Sequence, residues 1–91
     1  MWYTVNMITK KENIMTYTIS SDIDYNCTKT EILKFASENN SSVSKFQTNG
    51  PASGNHLVEF TSTNLTDIEE IAILLNLPFD YIKNYTSDII L

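Results

Sequence analysis

Alternation of apolar and polar residues predicts two β-strands near the start of the chain. Apolar side chains occupy every second position in residues 2–9, and the same period returns in residues 14–20. A period of two places such side chains on one face of a strand. The polar residues 10–13 lie between the two runs, so the pattern predicts a hairpin with a four-residue turn.

Two segments with helical spacing follow, and each begins with a capping signal. Residues 28–31 and 66–69 both have the form Thr-x-x-Glu, in which two side chains satisfy backbone amides at the start of a helix. Apolar residues then recur three and four positions apart, as in an amphipathic helix. The first helix is predicted to end at Asn39 and Asn40, and the second near Asn76, just before Pro78.

Three further strands are predicted around and after these helices. Residues 43–48 and 56–62 flank the chain's strongest turn signal, a loop that holds both of its glycines. The first of these strands has few apolar residues and is predicted to lie at a sheet edge. Residues 79–85 are predicted to form the last strand, and residues 86–91 an apolar C-terminal tail.

From Ile14 onward, the predicted order β-α-β-β-α-β is that of a ferredoxin-like sandwich. This α+β fold has an antiparallel sheet with two helices on one face, and the 91 residues are expected to form a single domain. The extra strand within residues 1–13 creates a conflict, because the first strand of such a sandwich already has two neighbours. The extra strand is expected either to replace the last strand or to pair elsewhere, for instance with a second chain. A homodimer is therefore one expectation.

The charge balance argues against direct binding of nucleic acid. The chain carries 6 lysines, no arginine and 11 acidic residues, for a net charge of −5. Proteins that follow a phosphate backbone neutralise it with clustered Lys and Arg, whereas these lysines are scattered. No apolar run approaches the roughly 18 residues that cross a bilayer. We expect a cytoplasmic protein, and the abundance of residues with A/T-rich codons hints at a phage genome.

The residues that most often carry chemistry are few, and each has a structural interpretation. His56, the sole histidine, would need a nucleophile and an orienting acid to serve as a catalytic base. Cys27 is the sole cysteine, so neither a disulfide nor a multi-cysteine metal site is expected. The acidic residues Asp67, Glu69 and Glu70 suit the start of a helix. We therefore expect no enzyme activity, no metal and no cofactor.

The remaining interpretation is a non-enzymatic module that binds a protein through aromatic and apolar side chains. Strand aromatics left on the open sheet face would suit such a partner. One version is a small acidic inhibitor, from a phage or mobile element, of a host defence or nucleic-acid-handling protein with a basic surface. The alternative is a dimeric domain that senses a small molecule through the 50–54 loop and the turn at residues 21–28. The expected partner-binding residues are Trp2, Tyr3, Tyr81, Tyr85, Asp67, Glu69, Glu70, Ile89, Ile90 and Leu91.

Overall fold

The computed structural model describes residues 11–48 and 54–90. They form an α+β structure with a four-stranded antiparallel sheet, in the order β2-β3-β1-β4, and two helices. The elements in chain order are β1 (Lys11–Ile23), α1 (Lys29–Glu38), β2 (Ser42–Gln47), β3 (His56–Ser62), α2 (Leu65–Leu74), a 3-10 turn (Phe79–Tyr81) and β4 (Lys83–Ile90).

The start of α1 confirms the first capping prediction, and the start of α2 corrects the second. The Glu31 amide donates to the Thr28 hydroxyl at 3.1 Å, and the Thr28 amide donates to the Glu31 carboxylate at 2.9 Å. In α2 the N-cap is Asn64, whose side-chain oxygen accepts from the Thr66 amide at 3.0 Å. The predicted capping box at residues 66–69 is wrong, because the Asn64 cap starts the helix earlier, at Leu65.

Both helices end where an asparagine adopts the left-handed conformation. Asn40 has φ 55° and Asn76 has φ 57°. After α2, the Leu77 amide turns back to donate to the Ala72 carbonyl at 2.8 Å, so a carbonyl left over at the helix end is satisfied. Pro78 follows and cannot continue a helix. The predicted helix ends are confirmed.

Strand β1 lies between two neighbours that pair with different parts of it. Its pairing with β3 runs from Tyr17 to Ile23, and its pairing with β4 runs from Lys11 to Thr18. The two ladders overlap only at Tyr17 and Thr18. Among the described strands, residues 11–16 therefore have no neighbour on the β3 side, and residues 19–23 have none on the β4 side.

The long ladder between β1 and β4, together with the 3-10 turn before it, corrects four sequence predictions. Residues 11–13 belong to β1 and not to a turn, because they pair with residues 88–90. Residues 79–81 form a 3-10 turn and not the start of a strand, and residues 86–90 extend β4 instead of forming a tail. Because β4 occupies the edge beside β1, replacement of the last strand by residues 2–9 is also wrong. Residues 2–9 and Leu91 lie outside the described residues.

The core lies between the helices and one face of the sheet. Phe60, the largest fully buried side chain, packs with Ile19 and Val58 from the sheet, and the Phe35 ring meets it edge-on at 5.7 Å. The register places these three sheet residues on one face. Both helices bury side chains in the same cluster, namely Ile32, Ala36, Ile68, Ile71 and Ala72.

Strand β2 lies at the opposite edge from β4, as the sequence predicts. Its pairing with β3 contains an irregularity between Val43 and Lys45. Most of its side chains are exposed, and only Val43 and Phe46 pack against the core. A short, irregular edge strand is a poor template for pairing with another chain.

Candidate binding surface

The region around the 3-10 turn and β4 exposes large apolar side chains. Tyr81 is 54% exposed, Tyr85 51% and Phe79 50%. Tyr85 lies opposite Thr16 in the β1–β4 ladder, and Met15, on the other face of β1, is also exposed. Solvent-exposed aromatic groups next to a sheet edge are typical of surfaces that bind proteins.

Beside β1 the sheet has a recess, which we call the β1 notch: the concavity along residues 19–23 of β1 beyond the start of β4. The ladder with β4 stops at Lys83 because the preceding 3-10 turn carries the chain away from the sheet. The concavity has a volume of about 440 Å³. Its walls include Ser20, Ser21 and Asp22 on β1, and Leu75, Leu77 and Tyr81 opposite them.

A second concavity of about 340 Å³ adjoins the β1 notch on the open face of the sheet. Glu59 and Asp80 bring carboxylates to it, and Lys83 brings an ammonium group. Asp22, in the wall of the β1 notch, adds a third carboxylate. Negative charge therefore predominates along this side of β1, which favours a positively charged occupant.

The helix side of the sheet has a separate, almost wholly apolar cleft of about 210 Å³. It lies beside the turn between β1 and α1, and Ile23, Cys27, Phe35 and Leu75 line it. Glu31 reaches its edge, but this carboxylate is already committed to capping α1. The hydrogen bond from the Thr28 amide, followed by that with the Thr28 side chain, lowers the pKa of Glu31 below its ordinary value.

His56, at the start of β3, contacts the turn between β1 and α1 and the ring of Phe46 in β2. Its Nε2 atom lies 3.0 Å from the carbonyl oxygen of Cys27, and its ring lies 4.9 Å from the Phe46 ring. Glu59, a candidate orienting acid, instead accepts a hydrogen bond from the Ser44 hydroxyl at 2.7 Å. The described contacts of His56 are thus those of a residue that joins β3 to the turn before α1.

The predicted partner-binding residues do not form one site. Asp67 is half-buried and accepts a hydrogen bond from the Ser62 hydroxyl at 3.2 Å, so it anchors the start of α2. Glu69 and Glu70 follow it on α2. Ile89 and Ile90 lie in β4, opposite residues 12 and 11. Tyr81 and Tyr85 are the members that lie beside or near the β1 notch, while Trp2, Tyr3 and Leu91 lie outside the described residues.

Most strand aromatics among the described residues lie on the covered face of the sheet, whereas Tyr85 of β4 lies on the open face, opposite Thr16. Tyr17, Phe46 and Phe60 all pack in or against the core. The open face of the described part of β1 and β3 instead carries residues such as Thr18, Ser20 and Glu59, as the register shows. A platform of rings for stacking bases is therefore not formed by these strands.

Sequence reasoning named Tyr81 and, for the small-molecule alternative, the turn at residues 21–28, but it did not predict the β1 notch or its other residues. Ser20, Asp22 and Asp80 are unremarkable in sequence, and Leu75 and Leu77 resemble ordinary helix and loop residues. The signal that bears on the notch is Pro78: the 3-10 turn that follows it delays the last strand until Lys83, so part of β1 has no neighbour among the strands that the structure describes. That consequence depends on the register between two strands far apart in the chain.

Within residues 11–48 and 54–90, no three His, Cys, Asp or Glu side chains are grouped so that they could hold a metal ion. In the same part of the chain, no helix is both long enough and apolar enough to cross a membrane. Comparison with protein-family models, with curated proteins and with solved structures finds no match.

Proposed function

We propose that this chain is a non-enzymatic protein-binding module built on a ferredoxin-like sandwich. The element order, the sheet order β2-β3-β1-β4 and the shared core of the two helices support this fold. The observation that carries the function is the β1 notch, where part of a central strand has no neighbour among the described strands and the exposed Tyr81 lies beside it.

The side chains around the β1 notch also favour a protein as the partner. Tyrosine is enriched in protein interfaces because its ring offers a large apolar surface and its hydroxyl a hydrogen bond. The carboxylates of Asp22, Glu59 and Asp80 favour a partner with a basic surface. An acidic inhibitor that occupies the basic cleft of a host protein, of the kind a phage would encode, has this chemistry.

Affinity capture with matched variants tests this function. The bait is the full chain, used beside Tyr81→Ala, Tyr85→Ala and the control Leu33→Ala. Leu33 is exposed on α1, away from β4, so the control removes a comparable apolar side chain. We expect one stoichiometric protein partner that the control retains and the two tyrosine variants lose. Retention by all four baits, or no partner at all, would contradict the proposal.

Salt dependence tests the acidic version separately. If the carboxylates near the β1 notch attract a basic surface, raising the salt concentration should slow association and weaken the complex. If the complex is equally tight at about 0.1 M and 1 M salt, the protein-binding proposal stands, but electrostatic attraction to a basic surface is ruled out as its cause.

The apolar cleft beside Cys27 favours a second candidate, a dimeric domain that senses a small apolar molecule. Its volume of about 210 Å³ and its apolar lining suit a small hydrocarbon-like ligand. A thermal-shift screen tests this, since a ligand that binds only the folded state raises the unfolding temperature. Phe35→Ala should abolish the shift, and sedimentation would show whether the chain is a dimer.

A further inference from the structure

One edge of β1, which has no neighbour among the described strands at residues 19–23, offers main-chain hydrogen-bonding groups to the β1 notch. In an antiparallel sheet, successive residues direct their N–H and C=O groups alternately to the two neighbouring strands. Within the described part of the chain, residues 19–23 pair with β3 and with no other strand. Their remaining groups therefore face the notch along a length of about 16 Å, enough for a segment of about five residues.

The 3-10 turn defines the place that an added strand would take. If β4 continued backwards in register from Lys83, the residues before it would lie opposite Ile19 and its successors. Instead, the Tyr81 amide donates to the Pro78 carbonyl and the Ile82 amide to the Phe79 carbonyl, so these groups close the turn. A foreign segment in the β1 notch would thus lie end to end with β4 and complete the sheet.

The two sides of the β1 notch differ in chemistry, and this difference predicts which side chains a bound segment should carry on each of its faces. Successive side chains of a strand point to opposite faces. On the helix side, the segment would meet Leu75 and Leu77, which pack against the core. On the open side it would lie near Asp22 and Asp80. Apolar residues fit the first side and basic residues fit the second.

We infer that the β1 notch binds an extended segment of a partner protein in which apolar and basic residues alternate. The inference rests on the proposed protein-binding function and names its mode, the addition of a strand to β1. Backbone hydrogen bonds to residues 19–23 hold the segment, and the alternate side chains provide its selection. Charge complementarity identifies the occupant, because three carboxylates and one ammonium group line the two adjoining concavities.

A titration of the isotope-labelled full chain, followed by NMR, tests the inference. The probe is an eight-residue peptide of alternating valine and lysine, beside a matched peptide of alternating valine and glutamate. We expect the first peptide to shift the amide signals of residues 19–23 and to slow their hydrogen exchange. We expect the second to bind at least about tenfold more weakly, a difference of about 1.4 kcal/mol in binding free energy.

Peptides methylated on their backbone nitrogens separate strand addition from simple charge attraction. Methylation of the amides on one edge of the valine–lysine peptide removes the donors that would face β1, whereas methylation of the other edge leaves them intact. Only one of the two methylated peptides should therefore bind. Equal binding of both would overturn the inference.

Charge variants provide a second control. Asp22→Asn combined with Asp80→Asn should weaken binding of the valine–lysine peptide severalfold, and Glu38→Gln, at the exposed end of α1, should leave it unchanged. Signal shifts confined to residues 84–90 would place binding on the outer edge of β4 and overturn the inference. Protection of residues 19–23 in the chain alone, together with a dimer in sedimentation, would identify a second copy as the occupant and also overturn it.

The outcome can be distinguished from failure of the proposed function. If the peptides do not bind but a captured partner is still lost on Tyr85→Ala, the protein-binding function stands and the β1 notch is not its site. If the valine–lysine peptide protects residues 19–23 but no partner is captured, the strand-addition site stands and the proposed protein-binding function is contradicted.

Discussion

The Nε2 atom of His56 lies 3.0 Å from the carbonyl oxygen of Cys27 and so joins the first residue of β3 to the turn before α1. The two residues are 29 positions apart in the chain. The Nδ1 atom of the same ring is buried, with no hydrogen-bond partner among the described residues. Because a carbonyl oxygen can only accept, the Nε2–H group of His56 is the donor of this hydrogen bond.

Replacing His56 should destabilise the fold. His56→Ala removes the hydrogen bond to Cys27 and the ring packing on Phe46, and we expect a loss of about 1–3 kcal/mol in the free energy of unfolding. His56→Phe keeps an aromatic ring and should lose less, about 0.5–1.5 kcal/mol. Urea unfolding of the three proteins measures both values. Equal stability of wild type and His56→Ala would show that this contact contributes nothing.

Glu31 should make the stability of the chain depend on pH in the acid range. The Thr28 amide and side chain lower the pKa of Glu31 in the folded state, so this carboxylate stabilises the fold above its unfolded pKa. That stabilisation is lost as the pH falls through the lowered value. Wild type should exceed Glu31→Gln in stability at neutral pH, and the difference should vanish towards pH about 2.

Urea unfolding across this pH range makes the comparison, with Glu70→Gln as the control. Glu70 is exposed on α2, away from the Thr28 capping box. Because Glu70→Gln keeps Glu31, it should lose stability on protonation of Glu31 just as wild type does, so this loss should not appear in the difference between the two proteins. A constant difference between wild type and Glu31→Gln at every pH would contradict the assigned role of the carboxylate.

Two isoleucines on α2 should respond very differently to truncation. Ile71 is fully buried at 0% exposure, whereas Ile73 is 59% exposed. Ile71→Ala leaves a cavity in the core and should cost about 2–5 kcal/mol in the free energy of unfolding. Ile73→Ala, with the same chemical change on the same helix, should alter it by less than about 0.5 kcal/mol. Chemical denaturation measures both, and similar losses would place the core elsewhere.

Asn76 should be replaceable by glycine but not by a β-branched residue. Its φ of 57° lies in the left-handed region, which glycine adopts without cost and valine does not. Asn76→Gly should match or exceed wild type in thermal stability, and Asn76→Val should lose about 1–2 kcal/mol. The opposite order would show that the asparagine side chain, and not its backbone, ends the helix.

Local signals explain which elements could be predicted from the sequence. The capping box at Thr28, the asparagines at the helix ends and the alternation in β3 depend on residues within a few positions of one another. The cap at Asn64 was missed because Thr66 also fits the pattern, and only the three-dimensional contact decides between them.

Register between distant strands explains what could not be predicted. The length of β4 and the loss of the expected tail depend on pairing between Lys11 and Ile90, which the local sequence does not specify. The β1 notch arises from the same register. Its residues come from β1, from β3 and from the segment after α2, and none of them follows a recognisable motif.

The pairing of Lys11 with Ile90 also means that the described chain nearly closes on itself. Antiparallel partners have Cα atoms about 5 Å apart, so a linker of very few residues would join Ile90 to Lys11. A circularly permuted chain could then start at the exposed turn after α1, around Asn40, and keep every strand neighbour. The fold is thus defined by which strands are neighbours. The place of the two chain termini within it can be changed by circular permutation.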